Sequence, residues 1–155
     1  MEENKQRYAK SIKLEFCHLN DCFEVYGDMN RISQVISNLI DNAIKFISKE
    51  GRITITVEKK KSNIASDNDA MVVVSVKDTG AGIHPEIIPL LFSKFATKSA
   101  TGTGLGLYIS KSIIESHGGK IWAQNNEDGN GSTFSFSLPT ANLKVLEILP
   151  YQKDL

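Results

Sequence analysis

The sequence lacks any apolar run approaching the roughly 18 residues that a membrane-spanning helix requires. Its N-terminus, MEENKQRYAK, is charged and has no apolar region after it, so it is not a signal peptide. Both absences predict a cytoplasmic chain, and the abrupt start in polar sequence suggests a piece of something larger. An excess of one charge sign is also missing: 18 Lys+Arg balance 18 Asp+Glu. That argues against a dominant nucleic-acid or anionic-membrane surface, although a local basic patch stays open. Cysteine is scarce. Cys17 and Cys22 have no second Cys/His pair to complete a zinc site, and they are read as buried, reduced packing residues rather than a disulfide. Internal repeats and low-complexity tracts are absent. What remains is a chain of 155 residues, 41% hydrophobic and 23% charged. That length fits one soluble domain able to bury most of its apolar surface without a staple.

Periodicity supplies the elements. Ile12, Leu14 and Phe16 alternate with Lys13 and Glu15, the pattern of a half-buried strand. A returning strand is expected from Phe23 to Tyr26. Asp28 can cap a helix from about Met29 to Ile47, in which Ile32, Val35, Ile36, Leu39, Ala43 and Ile47 form one apolar face. Ile53, Ile55 and Val57 alternate as a strand, Lys59 to Ala70 reads as a loop, and Met71 to Val76 as a strand buried on both faces. A short helix is expected over Pro85–Leu91, and a further one over Leu105–His117 with Gly118 as its left-handed C-cap. Strands over Lys120–Gln124 and Thr133–Leu138 close the series. The expectation is an α+β sandwich: about six strands in an antiparallel or mixed sheet, with about three helices on one face.

Three features carry chemistry. Asn38, Asn42 and Lys45 lie at i, i+4 and i+7, one polar stripe bordering the apolar helix face. An amide oxygen suits Mg²⁺, and an ammonium suits phosphate; a solvated helix face is the alternative. Asp78-Thr79-Gly80-Ala81-Gly82 ends a buried strand, where a carboxylate could accept from an adenine amino group; an ordinary Asp turn is the alternative. Thr101-Gly102-Thr103-Gly104-Leu105-Gly106-Leu107 leads into a helix, whose exposed amides could hold an anion. This run is neither a P-loop nor a dinucleotide fingerprint, and a flexible loop is the alternative. Each feature alone is weak; their occurrence in this order is not.

In that order the motifs resemble the histidine-kinase ATPase domains. NLIDNAIKF resembles the N box, DTGAGI the G1 box, Phe92-Ser93-Lys94-Phe95 the F box, GTGLGL the G2 box, and GSTFSFSLP the closing strand. The resemblance runs from about Ser11 to Pro139. It implies the Bergerat ATP-binding fold, shared with type II topoisomerases, mismatch-repair ATPases and heat-shock chaperones. It further implies that Asn42 ligates Mg²⁺, that Asn38 holds the metal's water shell or orients the reacting phosphate, and that Lys45 contacts phosphate. Asp78 would accept from adenine, helped by a water and Thr133, with Gly80, Gly82 and Ile83 fitting against the base. Gly102, Gly104, Leu105, Gly106 and Leu107, with Thr101 and Thr103, would wrap the phosphates. Phe92 and Phe95 would anchor a lid over Phe92–Thr103, and Lys98 is a further phosphate candidate.

Two departures narrow the reading. The glutamate that activates water in the topoisomerases and chaperones is replaced by Asn38, and an amide cannot take a proton at neutral pH. None of His18, His84 and His117 stands in the family's phosphoacceptor motif; all three are read as structural or surface residues, with His117 at a helix C-terminus where a cation suits the dipole. The expectation is therefore the catalytic ATP-binding half of a sensor histidine kinase. Residues 1–10 read as a linker or helical remnant, 11–140 as the domain, and 141–155 as a tail. The implied partners are ATP or ADP, the kinase's own histidine-bearing dimerisation domain and a downstream response regulator, with the fragment itself a monomer. An anti-sigma-type serine kinase and a nucleotide binder without phosphotransfer are the rival readings.

Overall fold

In the computed structural model the described residues are 10–18, 24–61, 70–94 and 104–141. Five strands and two α-helices follow in the order β1 (Ser11–His18), α1 (Met29–Phe46), β2 (Glu50–Lys61), β3 (Ala70–Asp78), α2 (Gly106–Ser116), β4 (Lys120–Asn125) and β5 (Ser132–Pro139).

The helix α1 starts where the sequence says it should. The Asp28 carboxylate accepts from the Asn30 and Arg31 N–H groups at 2.9 and 3.1 Å, satisfying two donors of the first turn. Its apolar stripe then buries Val35, Leu39 and Ala43 completely, and Ile47 follows them into the core at the helix end. Because α1 is the crossover between β1 and β2, those two strands pair in parallel, from Ser11 opposite Glu50 to His18 opposite Val57. The other pairs are antiparallel and the sheet order is β1-β2-β3-β5-β4. Both helices cover one face, where Ile53, Val74, Val76, Phe134 and Phe136 meet Leu39 and Ile114 in a single core.

The sheet is mixed and the class α+β, as expected, but the counts differ. The strand expected at Phe23–Tyr26 reduces, within the described residues, to one bridge between Val25 and Thr140. The helix expected over Pro85–Leu91 is only a 3₁₀ turn, Ile88–Leu90. Pro89 has no N–H to donate and disfavours the helical conformation of Ile88 before it, so the bonds run from residue i to i−3: Leu90 N–H to the Ile87 carbonyl and Leu91 N–H to Ile88.

Strand β1 is less buried than its alternation implies. Leu14 and Phe16 are 60% and 62% exposed, because α1 packs over β2 and β3 and α2 over β4 and β5, which leaves the edge strand uncovered. Cys17, expected to be buried, is an exposed free thiol on this edge; Cys22 lies outside the described residues. Among the described residues no helix is long and apolar enough to cross a membrane.

Candidate functional site

Asp78, the last residue of β3, is fully buried. Burying a carboxyl costs free energy unless donors surround it. Here Oδ1 accepts from the Gly80 N–H at 2.8 Å and the Ser132 N–H at 3.4 Å, and Oδ2 accepts from the Ser132 hydroxyl at 2.8 Å. Among the described residues no basic side chain pairs with it. Its surroundings are made of backbone. A Cβ on Gly80 would lie 2.7 Å from the Phe46 carbonyl oxygen, and one on Gly131 would lie 2.1 Å from that of Asp78 itself. Gly82 and Gly131 also hold φ of 76° and 77°, which a side chain would strain.

Helix α1 connects this carboxyl to the glycine run. At its C-terminal end the Ala81 N–H donates to the Phe46 carbonyl at 3.2 Å, which docks the 78–83 loop on the helix. Eight residues earlier, Asn38 Nδ2 donates to the Gly106 carbonyl at 3.0 Å and to the Ser110 hydroxyl at 3.2 Å. A Cβ on Gly106 would come 3.3 Å from Asn38 Oδ1, so glycine permits the two helices this approach. The two anchor points are about 12 Å apart along the helix axis, from the rise per residue. Asn42 and Lys45 lie between them; Asn42 is half-buried and Lys45 exposed in the last turn. Among the described residues nothing engages the Asn42 amide.

The remaining expected residues are placed as follows. Ile83 is buried in the core, and Phe92 and Leu107 are half-buried against it. Leu105 caps α2, and Gly104 holds φ 68° just before it. Lys94 sits 5.0 Å above the Tyr108 ring, a cation–π contact that ties residues 92–94 to the first turn of α2. Phe95, Lys98, Thr101, Gly102 and Thr103 lie outside the described residues.

One assignment shifts by a residue. Thr133 does not meet Asp78; its hydroxyl donates to Asn126 Oδ1 at 2.6 Å, and Ser132 supplies the donors instead. The register explains this. Thr133 stands opposite Lys77, so alternation puts it on the Lys77 side of the sheet and brings Ser132 to the Asp78 side. Asn125 and Asn126, which are not among the expected site residues, reach the Asp78–Ile83 segment directly. Two adjacent amides beside a glycine turn were the available signal. His117 is structural, as expected: its Nε2 accepts from the Asp28 N–H at 3.0 Å and its Nδ1 lies 2.7 Å from the Ile113 carbonyl.

Among the described residues no group of three His, Cys, Asp or Glu could hold a metal ion. A cation at this site would thus depend on amide oxygen, water and the substrate's own oxygens, which is the habit of Mg²⁺. A groove of about 310 Å³ between α1 and α2, lined by Arg31, Tyr108 and His117, contains none of Asn38, Asn42, Lys45 and Asp78.

Comparison with known proteins agrees with this geometry. The family described as histidine kinase-, DNA gyrase B- and HSP90-like ATPase matches residues 27–142. The chain is 43% identical over 118 residues to the sensor protein FixL of Bradyrhizobium diazoefficiens, covering 76% of this chain and 22% of that protein. The catalytic domain of histidine kinase ThkA, solved free of nucleotide, superposes with TM-score 0.69 at 40% identity, covering 83% of this chain and 78% of that one. Full-length ShkA, solved in complex with AMPPNP, gives TM-score 0.68 at 28% identity, covering 84% of this chain and 26% of that one. The chain therefore spans about a fifth of the length of FixL.

Proposed function

The chain belongs to the histidine kinase-, DNA gyrase B- and HSP90-like ATPases, and from that premise we propose that it is the ATP-binding catalytic part of a sensor histidine kinase. The observation that carries this reading is the buried Asp78 carboxyl, held by three donors with no cation beside it among the described residues, and fenced by glycines. A buried acceptor edged by glycines is the kind of placed polar group that orients a ligand. An adenine amino group is the donor that fits an acceptor of this kind, and ShkA solved with AMPPNP supports the same ligand class.

Each chain residue then has a task. Asp78 selects the base. Asn38, whose Nδ2 is committed to Gly106 and Ser110, keeps the N-terminal turn of α2 against α1 and leaves its oxygen as the free end. Lys45, as an exposed point charge, pairs with phosphate. Backbone amides at the start of α2 favour an anion there. Mg²⁺, when bound through Asn42, supplies neutralisation of phosphate charge. The reaction supported is phosphoryl transfer: an imidazole nitrogen on a separate domain forms the P–N bond, the bond from γ-phosphorus to the bridging oxygen breaks, and ADP leaves. Positioning and charge carry such a step. No carboxylate takes the place of Asn38 to activate water, so hydrolysis is expected to be weak. A response regulator would receive the phosphoryl group downstream.

The test supplies γ-labelled ATP and the helical domain of the same kinase in trans. Label is expected on that domain's histidine, acid-labile and reduced in Asp78→Asn at sub-saturating ATP. ATP binding without any transfer to the histidine would rule out the kinase reading and leave a binding module.

A further inference from the structure

The last residue of β4 and the first of the turn after it are two adjacent asparagines, Asn125 and Asn126, whose side chains face the adenine end of the proposed site. Asn125 forms a closed pair with the backbone of one residue: its Oδ1 accepts from the Ile83 N–H at 2.7 Å, and its Nδ2 donates to the Ile83 carbonyl at 2.8 Å. One side chain thus does for Ile83 what a neighbouring strand would do. Asn126 is buried and uses both amide protons, on the Asp78 carbonyl at 2.8 Å and on the Asn130 carbonyl at 2.7 Å, while its oxygen accepts from Thr133. Two carbonyls can only accept, so these partners leave the Asn126 amide a single orientation.

Together the pair grips both ends of the loop that carries the base acceptor. Between Asp78 and Ile83 lie Gly80, which has no side chain to hold it, and Gly82 with φ 76°. A loop built this way has high backbone freedom and needs external bonds to keep one shape. Asn125 also closes on Gly82 itself: a Cβ there would meet its Oδ1 at 3.0 Å.

We propose that Asn125 and Asn126 are positioning residues that fix the Asp78–Ile83 loop, and thereby set the preference for adenine over guanine. This rests on the proposed function, because Asp78 must be the base acceptor for its aim to matter. Guanine presents a carbonyl where adenine presents an amino group, so a well-aimed carboxylate rewards one and repels the other. A loop free to turn away would do less of both.

The experiment is titration calorimetry of ATP and of GTP, each with Mg²⁺, on the unsubstituted chain, Asn125→Asp, Asn126→Ala and the control Asn130→Ala, which keeps the carbonyl that Asn126 uses. Asn125→Asp preserves size and the acceptor but loses the donor. Both site variants are expected to bind ATP about tenfold more weakly, the worth of one net hydrogen bond. GTP affinity should change by no more than about twofold, since its binding rests on the phosphates. A merely loosened fold would lower both nucleotides in proportion. An unchanged ATP-to-GTP ratio in both variants overturns the positioning role. Failure of the unsubstituted chain to bind any adenine nucleotide contradicts the proposed function instead. Amide hydrogen exchange on the unsubstituted chain adds a test that needs no variant to fold: Ile83 should be protected through Asn125, and rapid exchange at Ile83 overturns the clamp.

Discussion

At the scale of single residues, the account turns on how one buried carboxyl is satisfied. Ser132 gives Asp78 both a hydroxyl and a backbone proton. Ser132→Ala should cost about 1–3 kcal/mol of stability, the usual consequence of leaving a buried acceptor short of a donor. It should also weaken ATP binding; both are read by thermal unfolding and calorimetry. Unchanged stability would mean that water replaces the hydroxyl at no cost. Asp78 itself was legible in the sequence because a carboxylate followed by Gly-x-Gly ends a strand. Its partner was not. Whether Ser132 or Thr133 faces it depends on the β3–β5 register, which pairs Lys77 with Thr133 and which no local pattern specifies. Asn125 and Asn126 escaped for the same reason. They act on residues more than forty positions away, and two adjacent amides beside a glycine turn mark a turn without naming those partners.

At the scale of elements, α1 was the most legible part of the chain. Its periodicity, its Asp28 cap and its polar stripe are all local properties, and all three appear in the structure. Asp28→Ala removes the acceptor for two first-turn N–H groups and should cost about 1 kcal/mol, seen as a lowered unfolding midpoint. The carboxylate is the feature at stake, because the backbone N–H of Asp28 still reaches His117 in that variant. Loss of stability in Asp28→Ala with none in a surface control such as Gln34→Ala would confirm the cap; equal effects would not. The edge strand β1 was legible as a strand but not in its burial. Alternation marks which face is apolar and does not say whether a helix lies over it. Over Pro85–Leu91, Pro85 suits a helix start, while Pro89 reduces the segment to the 3₁₀ turn Ile88–Leu90.

At the scale of the whole molecule, the site exists only where four segments distant in sequence converge. Helix α1 touches the 78–83 loop through Phe46 and the start of α2 through Asn38, and β5 closes on Asp78 through Ser132. Linear order of the motifs pointed to this convergence, and family membership with solved catalytic domains agrees with it. The central claim is that the convergence is a Mg-ATP site. Its most direct test is calorimetric titration of the chain with ATP, with Mg²⁺ present and absent, alongside Asp78→Asn and Asn42→Ala. The account predicts saturable binding strengthened by Mg²⁺, a loss of about tenfold or more in Asp78→Asn, and a Mg²⁺ dependence that disappears in Asn42→Ala. Equal affinity in all three proteins, with the same response to Mg²⁺, would contradict it.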